Sequence, residues 1–311
     1  GTTFADDNQP QWRVKGTANT KVGVLGFVLE KNIENGAVGR DADAEETDRD
    51  SYGLFGVTKV GSIYVKPLLW YVDDEADDTG FTLFNPVLTF TGDLGGLSFE
   101  SEINYKMWNA KVDAVSFDED ATTLGLYLNV WKAMDKMTPG IILAYGSYDK
   151  DYMEKVGALA TTAATGQTNA NAAIAAGNAA IDKAYLTDDA VGLATGRATV
   201  AAGTAGLAQA TALAASAASF SAFGGFDFDD DFDSSIILGD EYGWGGGDDL
   251  KGMTMIKLYV NDIKTSVAPL TLFGYAEYVM SNQDDTLYED ATAYELALGA
   301  NYKITDNLTY S

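Results

Sequence analysis

Leu97-Ser98-Phe99-Glu100-Ser101-Glu102-Ile103-Asn104-Tyr105-Lys106-Met107 is the stretch that decides the fold. Leu97, Phe99, Ile103, Tyr105 and Met107 fall on one side of an extended chain, and Ser98, Glu100, Glu102, Asn104 and Lys106 on the other. Period two marks a strand, because successive side chains point to opposite faces. A tilted strand of about ten residues crosses a bilayer as one stave of a barrel. The same alternation recurs on both sides of this segment. Leu124/Leu126/Leu128/Val130, Thr254/Ile256/Leu258/Val260 and Thr292/Tyr294/Leu296/Leu298 form apolar faces. Behind them lie Thr123/Gly125/Tyr127/Asn129, Met253/Met255/Lys257/Tyr259 and Ala293/Glu295/Ala297/Gly299.

Strands are expected at 10–18, 20–31, 50–60, 62–73, 80–92, 96–108, 121–133, 138–147, 250–260, 267–280, 291–303 and from 307 onward. Alternation is poorest in 20–31, 50–60 and 138–147. Tight turns fall near Asn19, Gly61-Ser62, Asp93-Leu94-Gly95-Gly96, Asp135-Lys136, Asp262-Ile263-Lys264 and Thr305-Asp306-Asn307. Gly, Asp and Asn suit them through positive φ or bonds to their own backbone. Longer acidic connections fill 32–49, 74–79, 109–120, 148–249 and 281–290. Short turns at one end and long loops at the other describe a transmembrane antiparallel up-and-down β-barrel. A soluble β-sandwich shares the periodicity but not this alternation of loop lengths. Trp70, Tyr71, Trp108, Trp131, Tyr145, Tyr278 and Tyr302 are expected near strand ends, as an interfacial girdle.

The chain is treated as one barrel domain over its 311 residues, with a long insertion at 148–249. Alanine makes up 26 of the 67 residues in 156–222, which favours helix. Helices are expected at 167–186 and 203–220, with Gly177, Gly192, Gly196 and Gly203 breaking or bending them. A flexible low-complexity loop is the alternative. Segment 205–222 comes nearest to a membrane-crossing helix, but Gln209, Thr211, Ser216, Ser219 and Ser221 interrupt it, so none is expected. Strand 138–147 rises and 250–260 descends, so the insertion must hold an even number of crossings. Its only strand-like piece is 226–238, so that piece is expected to fold into the pore mouth or lumen instead of joining the wall; the alternative is a second strand within 190–222.

Composition narrows the chemistry. Twenty basic against 46 acidic residues leave a net charge of −26, which excludes a phosphate-binding footprint for nucleic acid and favours cations at the surface. Cysteine and histidine are both absent, which removes thiolate chemistry, Cys- or His-bound metals and the Ser-His-Asp triad. No enzyme is expected. The strongest acidic cluster is Asp227, Asp229, Asp230, Asp231 and Asp233, followed by Asp240 and Glu241. It reads as a solvated acidic loop, as a pore constriction biased toward cations, or as a weak Ca²⁺ site at Asp229, Asp231 and Asp233. The interleaved Phe residues imply that one side of the segment packs against something. Lys66, Glu100, Glu102, Lys106, Lys257, Glu277 and Glu295 are expected to face the lumen, as a mixed polar lining.

Phe228-Asp229-Asp230-Asp231-Phe232-Asp233, Leu238-Gly239-Asp240-Glu241-Tyr242-Gly243 and Asp290-Ala291-Thr292-Ala293-Tyr294-Glu295-Leu296 through Ala300-Asn301-Tyr302-Lys303-Ile304-Thr305-Asp306-Asn307-Leu308-Thr309-Tyr310-Ser311 resemble the outer-membrane homotrimeric porins of anaerobic sulfate-reducing bacteria. The resemblance is best over 223–311. It implies a trimeric diffusive porin of the bacterial outer membrane, longer than this sequence at both ends. Twelve strands are counted here, and sixteen are expected when the barrel is complete. The expected function is passive passage of small hydrophilic solutes and ions with cation preference. Lipid and lipopolysaccharide are the expected surroundings, nucleic acid is not a partner, and no cofactor beyond structural Ca²⁺ is expected. The alternatives are a substrate-specific or partner-enclosing conduit, and a non-channel acidic surface protein.

Overall fold

A computed structural model describes residues 12–34, 48–75, 79–226, 252–267, 269–284, 289–305 and 308–310. The chain divides into two compact units. One comprises 1–110, 120–150 and 223–311, the other 111–119 and 151–222. The first is a sheet unit and the second a helical unit.

The sheet unit is an antiparallel meander of eleven long strands and one short one, each hydrogen-bonded to its neighbours in sequence. These are β1 Trp12–Thr20, β2 Gly23–Glu34, β3 Asp48–Val60, β4 Ile63–Glu75, β5 Thr79–Leu94, β6 Leu97–Val112, β7 Phe117–Trp131, β8 Thr138–Gly146, β9 Met253–Lys264, β10 Leu270–Ser281, β11 Thr292–Thr305 and β12 Leu308–Tyr310. All twelve expected strands are present. β8 pairs directly with β9, Ile142 facing Lys257, so no further strand of the wall stands between them.

Where the boundaries differ, pairing has carried on past the point where hydropathy stopped signalling. The connections expected at 74–79 and 109–120 shrink because the flanking strands extend through polar residues. Arg49 and Asp74 face each other there and form an ion pair at 2.5 Å. The first turn is at Lys21-Val22, not Asn19, with Thr20 opposite Gly23. The turn expected at Asp262-Ile263-Lys264 is strand: Asp262 takes φ +55° beside a register shift at Leu272/Gly274, and the chain reverses after Lys264. The three poorly alternating segments are strands all the same. Their inward positions carry glycines covered by a neighbour's ring, as Gly53 is by Trp70 and Gly26 by Phe55. This also corrects the girdle: Trp70 lies on the inward face over Gly53, and Trp108 stacks on Phe223 at 4.1 Å. Tyr145, Tyr278 and Tyr302 are exposed.

The helical unit holds α1 Lys150–Thr187 and α2 Ala190–Ser221, both much longer than expected. The glycines do not break them. Val156, Ala163, Ala170, Gly177 and Ala184 are buried at seven-residue spacing along α1, and Gly196, Gly203, Ala210 and Ala217 along α2. These two seams face each other. A methyl group on Gly203 would stand 3.0 Å from the Ala170 carbonyl oxygen, and one on Gly177 would stand 2.9 Å from that of Gly196. Small residues thus let two backbones approach closely, as in tightly packed helix pairs. The Asp189 side chain caps α2 by accepting from the N–H groups of Val191 (3.1 Å) and Gly192 (3.0 Å). Phe117 stacks on Phe220 at the other end.

α2 is long and apolar enough by length and composition to cross a membrane. The hydroxyls read as interruptions are satisfied within the helix: Thr211 donates to the Leu207 carbonyl (2.8 Å) and Ser216 to that of Ala212 (3.0 Å). We predict that Gly203→Leu overpacks the seam and destabilises the helical unit by about 1–3 kcal/mol. Ala201→Leu on the exposed side should leave it unchanged. Thermal loss of ellipticity at 222 nm reads both, and equal midpoints would refute the seam.

Candidate functional site: the inward face of the sheet

The sheet is inverted relative to a water-soluble one. Leu258 and Leu296, on the outward face, are 57% and 78% exposed, while the carboxylates Glu102 and Glu277 on the opposite face are 1% and 3% exposed. β6, β7, β9 and β11 keep the faces read from the sequence, whereas β8 is apolar on both, with Ile142 and Ala144 inward. The register aligns the inward residues into rows. Asn129 faces Ile142, Ile142 faces Lys257, Lys257 faces Glu277, and Glu277 faces Glu295. In the next row, Trp131 faces Gly140, Gly140 faces Tyr259, and Tyr259 faces Tyr275.

These rows are wired together by side chains. Tyr259 donates to Asn129 Oδ1 (2.9 Å), and Asn129 Nδ2 donates to Glu100 Oε1 (3.2 Å). Tyr127 donates to the same Glu100 oxygen (2.9 Å). Lys257 Nζ stands 3.7 Å from Glu277 Oε2 and 4.1 Å from the centre of the Tyr275 ring. Tyr275 in turn donates to Glu295. Glu277 and Glu295 are like charges directly opposite, an arrangement that costs stability unless each is held. Lys257 holds one and Tyr275 the other. Glu102 accepts from Thr89 (3.0 Å), and Glu30 pairs with Arg13.

Toward the end of the wall that carries the insertion, the inward face becomes apolar. Phe226, fully buried, packs among Ala144, Met253, Met255 and Val279. Its ring occupies the space over Gly125 that a side chain would need, and Lys106 Nζ lies 4.7 Å from its centre. Backbone bonds fix it: its N–H donates to Ser147 O (2.8 Å) and its carbonyl accepts from Gly252 (3.0 Å). Phe223 stacks on Trp108 and meets Phe81 at a tilt of 56°. The chain returning from α2 therefore lies against the inward face at residues 223–226.

The seven expected lumen residues divide by environment. Glu102, Glu277 and Glu295 are buried and held by wall neighbours, whereas Lys66, Glu100, Lys106 and Lys257 are half-buried. Asp227, Asp229, Asp230, Asp231, Asp233, Asp240 and Glu241 lie outside the described residues, and with them the candidate Ca²⁺ ligands. Among the described residues no cluster of three or more acidic side chains could hold a metal. Sequence reasoning missed the tyrosine network of Tyr127, Tyr259 and Tyr275. Part of its signal was present: Gly140 on an inward position marks the place where the Tyr259 ring approaches the wall.

No protein-family model matches the sequence, and no curated protein matches it. Among solved structures it is similar to the FrpB iron transporter from Neisseria meningitidis (F5-1 variant) in its apoprotein form, at 10% identity and TM-score 0.41. A second structure of that transporter gives 11% identity and the same TM-score. The match covers 95% of this chain but only 41% and 42% of those chains, less than half their length.

We predict that Lys257→Met destabilises the sheet by about 3–5 kcal/mol, because it strands the buried Glu277 carboxylate beside Glu295. Lys257→Met with Glu277→Leu should recover most of that loss. Urea midpoints of the detergent-solubilised variants check this, and a double variant no better than the single would refute the pairing.

Proposed function

We propose that this chain forms the wall of an outer-membrane channel through which small hydrophilic solutes and ions diffuse, with a preference for cations. The observation that carries the reading is the inversion of the sheet. A β-sandwich buries its apolar faces against each other. Here leucines and isoleucines face out, and Glu100, Glu102, Lys257, Glu277 and Glu295 face in. That distribution is stable when hydrocarbon lies outside and water inside.

Two further features support it. Neighbour-to-neighbour pairing gives every strand from β2 to β11 a partner on both sides, which satisfies backbone groups within the sheet, as a hydrocarbon surround demands. The inward face also carries Asn85 Oδ1, both amide atoms of Asn104 and Thr123 Oγ1, all buried without a hydrogen-bond partner among the described residues. Such atoms suit an interior that admits water. Cation preference rests on the net charge of −26, since the wall's own charges are largely paired.

Single-channel recording of the purified protein in a planar bilayer under a salt gradient tests this. Stepwise conductance with a reversal potential shifted toward the cation is the expected result. Steps in threes would carry the trimer as well. Anion preference would overturn the selectivity, and a folded, detergent-stable protein without conductance would overturn the channel.

A further inference from the structure

We propose that the inward wall around Tyr259 is a stacking subsite for a saccharide, a reading that rests on the channel proposed above. Tyr259 reaches across β8. The distal edge of its ring lies over Gly140, where any Cβ would collide with it, so only glycine permits that pose. The hydroxyl is tied at 2.9 Å to Asn129 Oδ1. A ring seated over Gly140 and tethered through its hydroxyl has little rotamer freedom left to lose on binding. Trp131 stands on the other side of Gly140 in the same row, and both rings are half-buried.

The hydrogen-bonding groups lie beside this platform. Glu100 takes both of its bonds, from Tyr127 and Asn129, on Oε1. Its Oε2 accepts none among the described residues, and Asn129 Nδ2 uses one of its two hydrogens on Glu100. An aromatic face flanked by a carboxylate acceptor and an amide donor matches a pyranose. Its C–H face is apolar and its rim of hydroxyls both donates and accepts. Charge argues the same way. Lys257 is paired with Glu277, and Glu295 is bonded by Tyr275, so the row offers no unpaired cation to an anionic solute. A few oriented polar groups on an aromatic surface are the usual make-up of a small-molecule site.

Maltohexaose is the probe. Titrated into the detergent-solubilised protein, it should change tryptophan emission saturably, and in the bilayer it should block ion current over the same concentrations. Tyr259→Ala should raise Kd at least about tenfold, and Trp131→Phe should remove most of the emission change. Tyr259→Phe keeps the ring and loses its tether. It provides a second test should the alanine variant not fold, with an expected loss of about threefold. Sorbitol, which lacks a ring face, should neither bind nor block. Conductance without saccharide binding would sink the subsite and leave the channel standing. Saccharide binding without conductance would sink the channel and leave the subsite. An unchanged Kd in both Tyr259 variants would refute the platform.

Discussion

Everything in the sheet unit depends on one constraint: each strand hydrogen-bonds only to the strands before and after it in sequence. From β2 to β11 each strand has a neighbour on both sides, so its backbone polarity is satisfied without reference to either face. The side chains can then be distributed to suit two different surroundings. Outward positions carry Leu126, Leu143, Ile256, Leu258 and Leu272, and inward positions carry charges, amides and glycines. The register matters more here than in a sheet with two similar faces. A slip of one residue would send Lys257, Glu277 and Glu295 outward together. The paired rows of Lys257, Glu277 and Glu295 oppose such a slip, because each polar contact exists in one register only.

Close approach by small residues solves packing problems in both units, in different ways. In the helical unit glycine and alanine bring two backbones together along a seven-residue repeat. In the sheet they bring an aromatic ring down onto a strand: Phe226 on Gly125, Tyr259 on Gly140, Phe273 on Gly299. A ring laid flat on the wall adds little bulk to the interior. It also shields backbone hydrogen bonds that a glycine would leave bare. Packing of this kind tolerates substitution at the ring better than at the glycine, since a smaller ring leaves a gap while any Cβ collides.

The strands were legible because their alternation is between apolar and charged residues, and charge is hard to misread. Glu100, Glu102 and Lys106 fixed the inward face of β6 from sequence alone, and Lys257, Glu277 and Glu295 did so for β9 to β11. What stayed hidden was anything written in residue size instead of polarity. The helix seam is one case: Ala163, Ala170 and Gly177 differ from their alanine neighbours only in position, so hydropathy carries no period and the glycines read as breakers. The flat rings are another, because Gly140 and Tyr259 are far apart in sequence and only the β8–β9 register joins them. Trp70 was misplaced for the same reason. A tryptophan near a strand end suits a girdle, but Gly53 opposite makes room for it inside. The acidic run from Asp227 was the most conspicuous feature of the sequence, yet only its neighbour Phe226 has a described environment. Phe226 itself packs in an apolar cluster, and Phe228 and Phe232 lie outside the described residues.

The inward face is divided along its length, and the division bears on selectivity. At the end nearer the insertion, Phe226 with Met253, Met255 and Val279 forms an apolar cluster. Beyond it comes the band of Glu100, Asn129, Tyr259, Lys257 and Tyr275. Nearly every charge in that band has a partner. A paired carboxylate projects a dipole, whose field falls off faster than that of a lone charge, and the partner offsets its long-range attraction for ions. The band is therefore better suited to recognising shape and hydroxyl pattern than to sorting ions by sign. Sorting by sign needs uncompensated charge. The sequence supplies that elsewhere: Asp227, Asp229, Asp230, Asp231 and Asp233 follow directly on Phe226, with no basic residue among them. Phe226, held by Ser147 and Gly252, fixes the point on the wall from which that run departs. One end of the inward face is thus apolar where residues 223–226 lie against it, and the other presents a hydrogen-bonding surface whose charges are largely paired.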